Sequence, residues 1–223
     1  MTTQIVTTES ISLTRTKAPA LPITPSVYSR QYGDQLNNVL RLYFSQLDNF
    51  IAQLNAGASS TVTGLRLPYG AFQDSTSQTA ANTTTAYPIT FNTTDFSNGV
   101  TLESSSRIKA AYAGMYNIQF SVQLENTTNA PVDIEIWFRK NGTNIAASNS
   151  RFGLAARKNP GDPFHIIAGL NLIVDLQANQ YVELVWRTSD VGAGIAAYTA
   201  GTSPTRPAIP SIILTATFVS ALP

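Results

Sequence analysis

Apolar residues along this chain follow two different periods, and the change comes near residue 60. In QLNNVLRLYFSQLDNFIAQL (35–54), Leu36, Leu40, Tyr43, Leu47, Phe50 and Leu54 recur at alternating steps of four and three residues. Side chains so spaced share one stripe of an α-helix. Thr24-Pro25-Ser26 offers a start and Asn55-Ala56-Gly57 a stop, which predicts an amphipathic helix over 26–56. Such a helix is about 45 Å long, and Gly33 weakens its first third by about 1 kcal/mol relative to Ala. In heptad terms the six residues run d, a, d, a, d, a over fewer than three heptads. Val39 at g, with Phe44 and Ile51 at e, widens the stripe. A stripe that wide suits three or more packed helices, or one helix lying on a sheet.

From about residue 65 the period is two. Tyr116, Ile118, Phe120, Val122 and Leu124 alternate with Asn117, Gln119, Ser121, Gln123 and Glu125. Val132, Ile134, Ile136 and Phe138 alternate with Asp133, Glu135 and Arg139, placing Trp137 on the outer face. Both runs read as half-buried strands. Asn141-Gly142 then predicts a tight hairpin, because both turn positions need positive φ. Further strands are expected near 87–93, 99–104, 164–176, 181–187 and 209–220, with turn clusters between them. Many short strands at regular spacing mean a sandwich or barrel rather than parallel α/β. Two segments break the one-sided pattern. In SIILTATFVS (211–220) Ile212, Leu214, Ala216 and Phe218 share one face while Ile213 and Val219 lie on the other, and LNLIVDL (170–176) is similarly apolar. A strand apolar on both faces is covered on both, so the second cover must be another layer or another subunit.

Four segments result. Residues 1–25 show weak alternation in IVTTESISL and then prolines at 19, 22 and 25, which exclude helix and favour an extended, anchoring arm. The helix spans 26–56, a linker 57–64, and a β-sandwich head 65–223.

Composition narrows the functions. Charged residues are only 12%, and fourteen Lys+Arg against thirteen Asp+Glu leave a net charge of +1, so no nucleic-acid partner is expected. Thr, Ser, Asn and Gln replace the missing charge, as in TSQTAANTTTAYPITFNTT (76–94), which suits an exterior that is adhesive or occupied by neighbours. There is no cysteine, which excludes disulfides, thiolate zinc sites and cysteine nucleophiles. MTTQIVTTES lacks the basic and apolar regions of a secretory signal, and no apolar run is long enough to span a membrane. Membrane insertion is therefore not expected. Synthesis in a cytoplasm is.

No catalytic constellation is recognisable, and no metal or other cofactor is expected. His165, the sole histidine, stands between apolar neighbours and is expected to be a hydrogen-bonded or surface strand residue. Asp133 and Glu135 share a strand face that solvent exposure would explain. Gly192-Ala193-Gly194 lacks the lysine and helix start of a phosphate loop, and no Asp-x-Asp loop argues for calcium. Two long loops, 146–163 and 188–210, are the candidate binding surfaces, carrying Arg151, Phe152, Arg157 and Lys158 in the first and Tyr198 and Arg206 in the second. The plainer alternative is that these loops bridge strands or pack on neighbouring subunits.

AYAGMYNIQFSVQL (111–124), VDIEIWFRKNGTNI (132–145), LNLIVDLQANQYVELVW (170–186) and the C-terminal apolar strand together resemble the complement/tumour-necrosis-factor-like globular head, in the version found in bacteriophage fibre and virion proteins. LPITPSVYSRQYGDQLNNVLRLYFSQLDN (21–49) also resembles an N-terminal segment of marine phage proteins, cyanophages especially. The resemblance implies a mainly β fold: an antiparallel jelly roll of about ten strands, homotrimeric, with the C-terminal strand near the threefold axis. A collagen stem and the calcium-binding acidic pattern of animal members are missing, so ligand identity does not carry over. The expectation is a homotrimeric virion structural protein, a fibre, spike or capsid-surface decoration, located on the virion. It would contact other virion proteins through 1–25 and a host-surface glycan or protein through its head. Leu36, Leu40, Tyr43, Leu47, Phe50, Leu54, Ile213 and Val219 are the expected oligomerisation residues. A non-viral carbohydrate-binding module of the same fold is the alternative, and a hydrolase with an unrecognised site a distant third.

Overall fold

The computed structural model describes residues 19–23, 25–56 and 67–222, with the backbone alone for 52–56. The chain forms two compact units, Met1–Arg66 and Leu67–Pro223. In the first, helix α1 spans Arg30–Ala56, 27 residues. It starts later than the expected residue 26 because the cap is Ser29 rather than the Thr24-Pro25-Ser26 signal. The Ser29 hydroxyl accepts the Tyr32 backbone N–H at 3.3 Å, while Ser26 and Val27 form a bend. Leu36, Val39, Leu40, Tyr43, Leu47 and Phe50 make a half-buried stripe, while Leu42, Phe44 and Ile51 are exposed. Pro19 lies beside Val39, Leu42 and Tyr43, at the one part of the proposed arm that is described. Residues 1–18, the linker 57–64 and the Leu54 side chain lie outside the described residues.

The second unit is all β. Its strands in order are β1 Tyr69–Asp74, β2 Tyr87–Pro88, β3 Thr93–Asn98, β4 Val100–Glu103, β5 Arg107–Ala110, β6 Gly114–Asn126, β7 Val132–Lys140 and β8 Thr143–Asn144. They continue as β9 Ser150–Leu154, β10 Phe164–Leu176, β11 Tyr181–Thr188, β12 Ala193–Ile195, β13 Gly201–Thr202, β14 Thr205–Arg206 and β15 Ile212–Ser220. A six-stranded sheet runs β10-β6-β15-β1-β3, with β12 continuing beside the end of β6. A seven-stranded sheet runs β4-β5-β11-β7-β8, with β2 on β11 and β9 on β7. Every named strand pair is antiparallel. Among the described residues the chain is therefore mainly β with one helix, and its head is a two-sheet antiparallel sandwich.

The inward residues of the two sheets form one core. Phe120 of β6 meets Phe138 of β7 edge-on at 5.8 Å between ring centroids. Trp186 of β11, fully buried, lies 6.0 Å from the Tyr87 ring. Each such side chain contributes about 1.5–3 kcal/mol by leaving water. The Asn-Gly hairpin forms as expected: Asn141 and Gly142 have φ of 49° and 80°, and Arg139 pairs with Asn144 across them. At Gly114 the chain needs the absent side chain. A Cβ there would strike the Phe218 ring and come 2.9 Å from the Ser220 carbonyl oxygen. That gap lets β15 close on β6 and lets Tyr116 pack edge-on against Phe218 at 5.6 Å.

Several expectations need correction. The strand near 87–93 is two short pieces, Tyr87–Pro88 and the start of Thr93–Asn98, because Pro88 has no N–H to extend a ladder. The loop 146–163 contains β9, paired with β7 from Leu154–Val132 to Ser150–Ile136. The loop 188–210 contains β12 and the β13–β14 hairpin. In 170–176 the outward residues are Asn171, Ile173 and Asp175, so only Ile173 makes that second face apolar.

Because Phe138 sits between the sheets, Phe138→Ala is expected to cost about 3–5 kcal/mol. Urea unfolding will show this as a lower midpoint at unchanged slope.

Candidate functional site

The two outer faces of the sandwich differ in charge. On the seven-stranded sheet, cross-strand register places Arg151, Glu135 and Arg187 in one row over β9, β7 and β11. Glu135 Oε1 accepts Arg151 Nη2 and Arg187 Nη2, each at 2.9 Å, and Oε2 accepts Asn149 Nδ2 at 3.1 Å. Glu135 is thus 8% exposed instead of facing solvent as its position in the alternation suggested. The hydrogen bonds from Arg187, Asn149 and Arg151 outweigh its desolvation and lower its pKa from the ordinary 4.5 to about 2. A carboxyl so acidic holds no proton near neutral pH and cannot act as a general acid.

The next rows continue the pattern. Trp137 follows, its indole N–H donating to Asn144 Oδ1 at 2.9 Å. Arg139 Nε donates to the same oxygen at 2.8 Å, with the guanidinium 5.9 Å from the Trp137 ring centroid. Glu183, opposite Arg139, accepts from Arg107 Nε at 3.3 Å and from the Ser106 hydroxyl at 3.1 Å.

The six-stranded sheet presents the opposite chemistry. Between Asp175 at one end and the Glu125–His165 pair at the other, the outward positions of β10, β6 and β15 carry no charge. Amides and hydroxyls line up across the strands as Asn171–Gln119–Thr215, with Asn117 and Thr217 in the next row. Among them stand Ile167, Ile173, Ile213 and Val219, which are 64%, 56%, 43% and 52% exposed. Ile213 and Val219 therefore lie on the outward face that their alternation indicated.

His165 is not isolated. Tyr198 donates its hydroxyl proton to Glu125 Oε2 at 2.9 Å and has His165 Nδ1 at 2.8 Å. With that proton committed, the hydroxyl accepts from Nδ1–H. Burial, then the bond to Glu125, pushes the Tyr198 pKa well above its ordinary value, so the phenol stays neutral.

The six proposed receptor contacts do not assemble. Arg151 pairs with Glu135, Phe152 packs against the core, Arg157 donates to the Thr127 carbonyl oxygen, and Tyr198 is engaged by Glu125. Lys158 and Arg206 are exposed, Lys158 in a bend and Arg206 on β14. Among the described residues no hydrogen bond or ion pair joins any two of the six. Nor do three His, Asp or Glu side chains gather as a metal would require. Trp137, Asn144 and Asn149 were absent from the sequence-based candidates. The Asn-Gly hairpin beside Trp137 was the available signal, since a two-residue turn brings residue 144 opposite residue 139.

No protein-family model and no curated protein matches this chain. Among solved structures, the globular domain of zebrafish complement 1qA protein matches with a TM-score of 0.42 and 10% sequence identity, over 70% of this chain and 100% of that one.

Glu135 has a folded-state pKa below its unfolded value, so its ionised form stabilises the fold above the usual carboxylate range. That contribution is lost as pH falls from 4.5 towards 2. Glu135→Gln is expected to cost about 1–3 kcal/mol at neutral pH by leaving two guanidiniums without their charge. It also flattens the decline in thermal midpoint over that acid window, measured by calorimetry against the parent chain.

Proposed function

We propose that this chain is a homotrimeric bacteriophage virion protein, a fibre, spike or capsid-surface decoration, whose β-sandwich head serves assembly or host-surface adhesion. The observation that carries the self-association is the uncharged outward stretch of β10, β6 and β15 in the six-stranded sheet. A sheet face left in water ordinarily carries charge, as the seven-stranded sheet does, whereas interface centres are depleted of it. Amides and hydroxyls there supply hydrogen bonds, and four exposed aliphatic side chains supply apolar area. The half-buried stripe on α1 supports the same conclusion, since among the described residues of its unit nothing covers Phe44 or Ile51. Cyclic closure about a threefold axis would use one such face per copy without leaving an open end.

The virion context is supported by the sequence resemblance of 21–49 and of the ordered strand motifs. Anchoring through the N-terminal segment rests on its prolines at 19, 22 and 25, which favour extended chain. The head is proposed to work without catalysis, by shape and by linked weak contacts, where three copies raise apparent affinity by about 10²–10⁴.

Light scattering at micromolar concentration is expected to give three times the chain mass, and Ile173→Lys/Ile213→Lys to give the single-chain mass with unchanged circular dichroism. A monomeric parent chain overturns the self-association. Mass spectrometry of particles released from cells carrying the gene is expected to detect the chain, and its absence from purified particles overturns the virion role.

A further inference from the structure

The outer face of the seven-stranded sheet holds a depression of about 280 Å³ lined by Glu135, Trp137, Asn144, Ala147, Asn149 and Arg187, with Ile145 beside them. We propose that this depression is a carbohydrate subsite for a neutral pyranoside, with Trp137 as the stacking platform and Asn144, Asn149 and Arg187 as its polar rim. The subsite deepens the adhesive half of the function proposed above, but it is complete within one chain and stands without the trimer.

Trp137 motivates the proposal. The chain has two tryptophans; Trp186 is buried at 1% exposure, whereas Trp137 points outward from the charged sheet and is half-buried. An indole on a solvated face leaves apolar area in water and earns no core packing. Its orientation is nevertheless set before any ligand arrives, by the bond to Asn144 and the guanidinium of Arg139. Preorganisation of this kind lowers the entropy lost on binding.

The unspent hydrogen-bonding groups match hydroxyls. Asn144 Oδ1 receives two donors, leaving the side-chain N–H groups without a partner among the described residues. Asn149 spends Nδ2 on Glu135 and keeps its oxygen, and Arg187 spends Nε and Nη2 on Glu135 and keeps Nη1. Two donors and an acceptor beside an aromatic ring suit vicinal hydroxyls, each of which both donates and accepts. Glu135 is saturated by Arg151, Arg187 and Asn149, and Asp133, 3.9 Å from Arg151, balances the second guanidinium, so the two arginines and two carboxylates leave no net charge to select an ionic ligand.

The backbone at the rim is also held in place. Ala147 has φ of 58°, a left-handed conformation that a residue with a Cβ seldom adopts. Beside it Ser148, buried at 8% exposure, donates to the Ile145 carbonyl oxygen at 2.8 Å and accepts the Phe138 N–H at 3.1 Å. That hydroxyl fastens the 145–149 loop to β7, fixing Asn144 and Asn149 on either side of the depression. The depression lies on the charged sheet, away from the uncharged face, and so stays open in a trimer closed through that face.

The test uses the full chain carrying Trp186→Phe, which leaves Trp137 as the sole indole. Methyl glycosides of glucose, galactose, mannose and N-acetylglucosamine are titrated to high millimolar concentration, following Trp137 emission. Saturation-transfer NMR on the unmutated chain gives the same answer should Trp186→Phe fail to fold. At least one glycoside is expected to bind saturably, with affinity falling at least about tenfold in Trp137→Ala and measurably in Asn144→Ala. A methyl glucuronide should bind no better than the glucoside. Silence across all four glycosides overturns the proposal, as does binding that survives Trp137→Ala; a preferred glucuronide overturns the neutral ligand. Chain mass in solution reports separately on the trimer, so the two failures are distinguishable.

Discussion

The register of β6 is the constraint on which the head depends. Its thirteen residues pair without interruption with the thirteen of β10, and on its other side it pairs with β15. Tyr116, Ile118, Phe120, Val122 and Leu124 enter the core, all buried, while the residues between them build the uncharged face. Because side chains alternate strictly, a slip of one residue would put amides in the core and aromatics in water. Gly114 and Phe218 hold one end of this register, since only a missing Cβ lets β15 close there. Core and outward face are therefore two products of one pairing.

The two outer faces then divide the work. Charges concentrate on the seven-stranded sheet, where Arg–Glu pairs across β9, β7, β11 and β5 keep a solvated surface ordered. Exposed pairs of this kind add little stability singly, but Glu135 is buried under its partners and its placement is enforced. The same ladder frames Trp137 and its neighbouring amides. The six-stranded sheet has no comparable use for water between its ends, which suits a face to be covered by another copy. On the proposed reading, one sheet offers the chemistry of assembly and the other that of contact with an outside ligand.

Long strands were legible in the sequence because their alternation runs over many residues. Phe164–Leu176, Tyr181–Thr188 and Ile212–Ser220 fall close to where periodicity places them, and the Asn141-Gly142 turn forms as its conformational demands require. Most short strands were not legible, Val100–Glu103 excepted. SRFGL in β9 and RIKA in β5 carry too few residues to show a period, and they are strands only because β7 and β4 lie alongside. The helix start was misplaced for a related reason: Thr24, Ser26 and Ser29 are all competent caps, and only the backbone geometry selects Ser29.

The candidate sites show the same division. By itself the sequence determined the two-period architecture, the low charge and the second apolar face of the C-terminal strand, because each is a property of consecutive residues. It also put Trp137, Asp133 and Glu135 on one face of one strand. Tertiary structure alone decided that Glu135 is buried, because Arg151 and Arg187 reach it from different strands, 16 and 52 residues away in sequence. It also engaged Arg151, Phe152, Arg157 and Tyr198 of the two candidate loops in contacts of their own, and it gathered Asn144, Asn149 and Arg187 around Trp137. Periodicity reports which way a side chain points; which side chain stands opposite depends on strand order and register, and those emerge only when the sheets pair.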